Sequence, residues 1–339
     1  MPRILPFASD AADPFGERRP ATHIAKLRIL GADFRFQSNS RDLMRLVSQA
    51  YRGLPRHKLS NGPTAIDVWL SLTPRDPAVR RSEPPKTRMT AGAGLLCGMM
   101  DAANFVTLAP AARAGLVAIS RRLLEYPYLA RYELLEFAVY ILATRVQQLV
   151  PLHAACVSRR GRAILLMGGS GTGKTTLALQ CMLQGLEFMS EDSTFVCPKT
   201  LLATAVANYL HVRSNGLRFV PTPTATAWRR RSTTIQRRSG VEKLEVDLRD
   251  TGYRLSPAAS RVVAIVLLTK RGARKGPLLR PIRGDETRAR IEALQPYAAR
   301  QIGWNRFARQ FANISVWELR RGSHPADAVP SLRGLLSER

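Results

Sequence analysis

The hydrophobic pattern switches spacing several times along the chain. "HIAKLRILGADFRFQS" alternates on either side of Gly31 and predicts two short strands. "SRDLMRLVSQAYRGL" then places apolar residues at helical spacing behind Ser40, a residue type suited to an N-cap. "AIDVWLSLTP" alternates like a strand, and "LLCGMMDAANFVTLAP" predicts two more. Two helices are expected next, "AARAGLVAISRRLLEY" and "PYLARYELLEFAVYILATRVQQLV". The second carries Pro127 in its first turn, where a missing N–H costs little. Residues 1–21, rich in Pro, Asp and Arg, read as a loose tail, and "RDPAVRRSEPPKTR" as a polar loop. Residues 22–149 are therefore expected to form an α+β domain without a chemical signature.

The pattern changes near Pro151. "LHAACVSR" and "RAILLMG" read as strands joined by a tight turn at Arg160-Gly161. The second runs straight into "GGSGTGKT". A helix, "TTLALQCMLQG", follows and stops at Gly185, a natural C-cap. "LEFMSED" is a strand finishing on two acids. "YLHVRSNGLRFV", "EKLEVDLR" and "RVVAIVLLTK" predict further strands, and "TRARIEALQPYAARQIGWNRFARQFANI" predicts helices. Residues 150–339 form the second expected domain.

Length and composition agree with two folded domains: 339 residues, 45% hydrophobic and 23% charged. The net charge of +27 is unusual. The excess is mostly arginine dispersed along the chain, which reads as solvated charge. There is no nucleic-acid motif and no basic stripe interleaved with aromatic residues, so no specific nucleic acid is expected as a partner. Cys97, Cys156, Cys181 and Cys197 form no C-x-x-C pair, and three of the four lie in apolar runs, as reduced buried thiols of a cytoplasmic protein would. The N-terminus has no apolar core of a signal peptide, and the uncharged run between Glu136 and Arg145 is too short to span a bilayer. A homo-oligomer is compatible with all of this.

The chemistry concentrates after residue 168. Gly168, Gly169, Ser170, Gly171, Thr172, Gly173, Lys174 and Thr175 match G-x-x-x-x-G-K-[ST] in full, between an apolar strand and a helix, with Thr176 following. Such a loop turns successive backbone N–H groups onto the phosphates of a nucleoside triphosphate. Lys174 would reach the β- and γ-phosphates, and the Thr175 hydroxyl would hold Mg²⁺. Glu191 and Asp192 stand 17 and 18 residues beyond Lys174. If their strand lay beside the loop strand, its end would reach the γ-phosphate. One carboxylate would then hold Mg²⁺ and the other take the proton of an attacking hydroxyl. His153 opens the strand before the loop strand. A lone histidine in an apolar run is usually a satisfied core residue, and only topology marks this one as a candidate.

The stretch "LHAACVSRRGRAILLMGGSGTGKTTLALQCMLQGLEFMSED" resembles the core of the HPr kinase/phosphorylase family and its serine-kinase relatives. The resemblance is close over about 40 residues and loose over 151–320. It implies an α/β P-loop kinase domain of HPr-kinase type, a mixed sheet flanked by helices, preceded by the α+β N-terminal domain. It implies ATP- and Mg²⁺-dependent phosphoryl transfer to a Ser or Thr hydroxyl of a protein or peptide acceptor. It assigns catalytic roles to His153, Lys174, Glu191 and Asp192, with Glu191 at the position of the proton-accepting Asp and Thr175 and Asp192 toward Mg²⁺. Two positions depart from the family pattern. Glu191 replaces Asp, and in "LHVRSNGL" His211 replaces a metal-binding Glu, although neutral imidazole is a poor Mg²⁺ ligand. For the family's arginine near the transferred phosphate, Lys243 and Arg249 are the weak counterparts.

Other readings remain open at this point. A small-molecule kinase usually begins with its phosphate loop, whereas here the loop starts at residue 168. A GTPase would need Asn-Lys-x-Asp, and "LLTKRG" lacks the Asp. A non-catalytic ATP-binding scaffold is the alternative from another class. The basic segment 228–240 reads as a long connection in which Arg229, Arg230, Arg231, Arg237 and Arg238 would hold an acidic acceptor or the transferring phosphate.

Overall fold

A computed structural model describes residues 21–59, 64–73, 83–273, 276–282 and 286–337. The expected N-terminal tail, up to residue 20, and the polar loop, up to residue 82, lie outside the described residues.

The first sheet has seven strands in the order β1-β2-β3-β7-β6-β5-β4. Strands β1 (His23–Ile29) and β2 (Ala32–Ser38) form a hairpin whose two-residue turn puts Leu30 and Gly31 at positive φ, 51° and 85°. That backbone suits the right-handed twist of the strands it joins. Helix α1 (Arg41–Tyr51) crosses over to β3 (Ala65–Thr73), which pairs parallel to β2. The Ser40 Oγ accepts from the Leu43 N–H and caps the helix as the sequence suggests. Strands β4 (Arg88–Gly92), β5 (Leu95–Asp101) and β6 (Asn104–Ala109) then run antiparallel.

The stretch expected as the first of two helices is instead β7 (Ala114–Ser120), parallel to β3 on one side and antiparallel to β6 on the other. Helical spacing was a misleading guide here. With both edges paired, most backbone groups of β7 are satisfied by the sheet, and Val117 and Ile119 are fully buried. The second expected helix is present but interrupted. It begins as α2 (Pro127–Leu129), widens into a π-helical stretch (Ala130–Leu135) and continues as α3 (Glu136–Gln147).

The second sheet follows the order β11-β9-β10-β17-β13-β12-β8. The expected strand "LHAACVSR" is broken at Ala154 into β8 (Val150–His153) and β9 (Ala155–Arg159). A turn at Arg160-Gly161 leads to β10 (Arg162–Met167), buried on both faces as a central strand should be. Helix α4 (Lys174–Leu183) ends in the expected left-handed Gly185, at φ 85°. Then come β11 (Glu187–Ser190), β12 (Ser193–Val196) and β13 (Leu202–Thr204). β11 pairs with β9 and β12 with β8, so two bent chains lie side by side, one kinked at Ala154 and the other at Glu191-Asp192. β11 does not lie beside the loop strand, because β9 separates it from β10.

A three-stranded sheet follows: β14 (Tyr209–Val212), β15 (Thr233–Gln236) and β16 (Glu242–Asp247), with β16 in the middle. The basic segment expected as a long connection is mostly regular structure. It closes α5 (Thr222–Arg231), forms β15 and turns into β16. Strand β17 (Ser260–Gly272) runs parallel to β10, β18 (Leu279–Pro281) lies at the edge, and helices α6 (Glu286–Leu294) and α7 (Trp304–Arg309) occupy the predicted helical region. β19 (Ser315–Arg321) then pairs parallel to β17, and α8 (Val329–Leu336) packs near α4. The result is a mixed α/β protein with eight helices among the described residues.

One apolar cluster runs from the first sheet and α3 to Phe195 of β12. The His57 ring bonds to Thr204 and to the Ser256 carbonyl, tying the two sheets further. Cys156 and Cys181 are buried, whereas Cys97 and Cys197 are only half-buried, and all four are free thiols. No helix among the described residues is long and apolar enough to cross a membrane.

The strand assignment of β7 makes a directional prediction. At an exposed helix position Val117→Ala would be favourable or neutral, whereas at this fully buried strand position it should destabilise the fold by about 2 kcal/mol. Urea denaturation of the two proteins reads the difference, and equal midpoints would contradict the strand's packing.

Candidate active site

The glycine-rich loop leaves β10 and enters α4 at the carboxyl ends of β10, β17 and β19, three parallel neighbours. Its glycines are required by geometry. A Cβ on Gly168 would come within 2.6 Å of Thr172 Oγ1 and 3.0 Å of the Leu268 carbonyl, and Gly173 caps α4 at φ 103°. Thr172 Oγ1 donates to the Gly169 carbonyl. Lys174 is buried, and its Nζ donates to the Gly168 carbonyl at 2.7 Å. Burial lowers the lysine's pKa, and the charge of Asp192 works against that fall. Thr175 and Thr176 occupy the first turn of α4. The loop thus aims a helix N-terminus and an ammonium group at one point, a donor set that fits a polyphosphate.

His153 and Asp192 are brought together by the β8–β12 pairing, in which His153 lies opposite Ser193. His153 ends β8 rather than opening the next strand. Its Nδ1 lies 3.0 Å from Asp192 Oδ1, and both side chains are about half exposed. Buried Gln295 clamps this histidine's backbone, accepting from its N–H at 2.8 Å and donating to its carbonyl at 3.0 Å. Ser190 and Thr194, which bracket the two acids, both donate to the carbonyl of Ala154 at the facing kink. These hydroxyls repair the ladder where both chains bend. Burial by itself would raise the Asp192 carboxyl, but the His153 hydrogen bond and the charges of His153, Arg237 and Lys174 hold it below the usual carboxylate range.

Glu191 has a different environment. It is buried, and His211 donates to it twice, from the backbone N–H at 3.1 Å and from Nδ1 at 2.6 Å. The other ring nitrogen, Nε2, meets Glu245 Oε1 at 3.1 Å and the Tyr132 hydroxyl at 2.8 Å. Arg131, from the π-helical stretch, completes the row by pairing with Glu245. Glu191, His211, Glu245 and Arg131 form a buried chain of alternating charge. Burial would lower the His211 pKa, but hydrogen bonds and charges from Glu191 and Glu245 outweigh it and raise the value. With both nitrogens engaged, His211 offers no lone pair to a metal ion. Next to this row, burial pushes the Glu136 carboxyl up to about 7.

Of the basic residues singled out in the sequence, two are already engaged by other groups. Arg238 is bound to Glu133, Glu83 and the carbonyls of Pro84 and Pro85. Arg249 is bound to Asp247, Tyr209 and the Arg52 carbonyl. Arg229, Arg230 and Arg231 are exposed on the last turn of α5, where positive charge complements the helix dipole. The charge of Arg237 acts on Asp192, and the charges of Glu191 and Asp192 act on Lys243, whose pKa burial lowers. Sequence reasoning missed Arg131, Tyr132, Glu245 and Gln295, none of which lies in a motif. The alternation of "EKLEVD" did carry a signal, because it puts Lys243 and Glu245 on one face of a strand. Among the described residues no three His, Cys, Asp or Glu side chains cluster as a ready-made metal site. Of the residues expected to hold Mg²⁺, Thr175 lies in the first turn of α4 and Asp192 beside His153.

No protein-family model matches the chain, and no curated protein matches it. Among solved structures, it is similar to the Hpr(Ser) kinase/phosphatase from Coxiella burnetii, at 13% identity and a TM-score of 0.25, over 55% of this chain and 93% of that one. A likeness at that level does not establish a family.

The buried row makes a pH prediction. Because the folded His211 pKa is raised, the stability it contributes is complete below the unfolded value of about 6.5 and is lost as pH rises through the folded value. The melting-temperature gap between the parent protein and His211→Gln should therefore be widest in mild acid and shrink toward alkaline pH. A gap independent of pH would show that the imidazolium charge contributes nothing.

Proposed function

We propose that this protein transfers the γ-phosphoryl group of ATP to a Ser or Thr hydroxyl of a protein or peptide. The observation that carries this reading is the convergence of Lys174 and the glycine-rich loop with the half-exposed Asp192–His153 pair at one end of the second sheet. The loop N–H groups and Lys174 hold the triphosphate and offset the charge that develops on the departing β-phosphate oxygen. Asp192 accepts the proton of the acceptor hydroxyl as its oxygen bonds to the γ-phosphorus, and the bond from that phosphorus to the β–γ bridging oxygen breaks to release ADP. Thr175 and Asp192 would help hold Mg²⁺, which would supply further charge neutralisation. Arg237 and Lys243 add positive potential beside Asp192.

Between the two acids, this geometry favours an assignment different from the one expected from the family pattern. Both Glu191 oxygens already accept from His211 in a buried setting. The solvent-facing carboxylate is that of Asp192, so both duties expected of the pair fall to it. Glu191 anchors the kink from which Asp192 projects. The open setting of Asp192 and His153 also supports a macromolecular acceptor, since a hydroxyl on an extended chain reaches it without entering an enclosed pocket.

The test is phosphate transfer from labelled ATP to candidate acceptor proteins. Lys174→Ala and Asp192→Asn should each lower transfer about 10²- to 10⁴-fold while leaving a cooperative fold. Glu191→Gln should instead retain measurable transfer per folded molecule and destabilise the protein by about 3 kcal/mol, because it removes one of the two carboxylates that balance the buried imidazolium. Full transfer by Asp192→Asn would exclude it as the base. Nucleotide binding without transfer to any acceptor would favour the scaffold alternative.

A further inference from the structure

On the side of the loop away from the acids lies a cleft of about 470 Å³ that no step above uses. Its volume is within the range of small-molecule sites. Its floor is Leu177 of α4 and Leu319 of β19, and its rim includes Gly171 and Gly173 of the loop itself. One wall is the turn Ser214–Phe219, which carries Arg218 and Phe219. The Arg218 guanidinium carbon lies 4.6 Å from the Phe219 ring centroid, so ring and cation form one platform. The opposite wall is the turn after β19, where His324 meets the Phe219 ring edge-on at 5.1 Å and 78°.

Both walls are tied to the loop and its helix. Gln180 of α4 donates to the Phe219 carbonyl at 2.8 Å, and Arg321 donates to the Gly171 carbonyl at 3.2 Å. His324 is set in a capping box: its Nδ1 accepts from the Ala326 N–H, while its own N–H donates to Asp327. With Nδ1 accepting, the ring proton sits on Nε2, which makes that edge a hydrogen-bond donor. The cleft thus combines an aromatic–cation platform, a fixed donor and an apolar floor. It sits outside the carboxyl ends of parallel strands, where open α/β sheets bind ligands. Aromatic rings and arginine planes are the groups on which bases stack.

We infer that this cleft holds the base and ribose of the nucleotide, with Phe219 and Arg218 as the stacking platform and His324 as a donor to the base. The inference rests on the phosphoryl-transfer reading of the loop. It places the triphosphate between two functions, the base on the Phe219 side and the γ-phosphate on the Asp192 side.

Calorimetric titration with ATP and with inorganic tripolyphosphate, each with Mg²⁺, separates the two parts. Phe219→Ala should weaken ATP binding about five- to 150-fold, the range of base–aromatic stacking, and leave tripolyphosphate binding within about twofold of the parent. Phe219→Trp, which keeps a π face, should restore ATP affinity and add a fluorescence signal that ATP quenches and tripolyphosphate does not. Lys174→Ala should weaken both ligands. Parent-like ATP affinity in Phe219→Ala, or equal loss for both ligands, overturns the inference alone if Lys174→Ala weakens both. If Lys174→Ala weakens neither, the reading of the loop fails and the inference falls with it.

Discussion

The structure around the site depends on one buried row of charges: Arg131, Glu245, His211 and Glu191. Moving an ion out of water costs several kcal/mol, so such a row persists only when each member is paired and hydrogen-bonded. Here each member has an oppositely charged partner, only the Arg131 Nε lacking a hydrogen bond, and each comes from a different element. Arg131 comes from the π-helical stretch, Glu245 from β16, His211 from β14, and Glu191 from the kink between β11 and β12. The Arg131 guanidinium also lies over the rings of Tyr132 and Tyr209, at 4.9 and 4.3 Å. Removing any one member would leave its neighbour charged and buried. The row therefore fixes the small third sheet and the helix of the first part against the strand end that carries the acids.

That constraint explains how two adjacent carboxylates acquire different chemistry. Glu191 and Asp192 stand at a kink, so their side chains leave the chain in different directions. One enters the buried row and is neutralised by His211. The other turns to the solvent-facing side, where His153, Lys174 and Arg237 supply the positive field. The facing kink at Ala154 is its counterpart, and the hydroxyls of Ser190 and Thr194 hold the two together. Gln295, reaching from beyond α6, sets the backbone of His153 and thereby the position of the ring that meets Asp192.

The glycine-rich loop lies between this acid side and the cleft lined by Phe219 and His324. Its own conformation is local, since Gly168 and Gly173 occupy positions that a side chain would block or strain. Its surroundings are not local. They are assembled from segments more than 100 residues apart in sequence, such as Gly171 and Arg321. An anion-binding loop is built from neighbouring N–H groups and needs little else, whereas an acid and a platform on either side need the whole sheet.

By itself, the sequence determined the loop, the strand before it, the helix after it with its Gly185 cap, and the hairpin turns at Gly31 and Arg160-Gly161. Each depends on backbone freedom or hydrogen bonds within a few residues, so each is legible in a short window. Only the tertiary structure decided that residues 114–120 form a strand, because their helical spacing is outweighed by two flanking strands that satisfy the backbone. It also decided that residues 228–240 form the end of a helix and part of a hairpin rather than an open connection. Arg238 is thereby bound to Glu133, and the charge of Arg237 is brought to act on Asp192. The pairing of His153 with Asp192 and of Glu191 with His211 was equally invisible. Which carboxylate faces water and which is buried is set by strand register and by charges brought from distant elements, and neither leaves a trace in the spacing of residues along the chain.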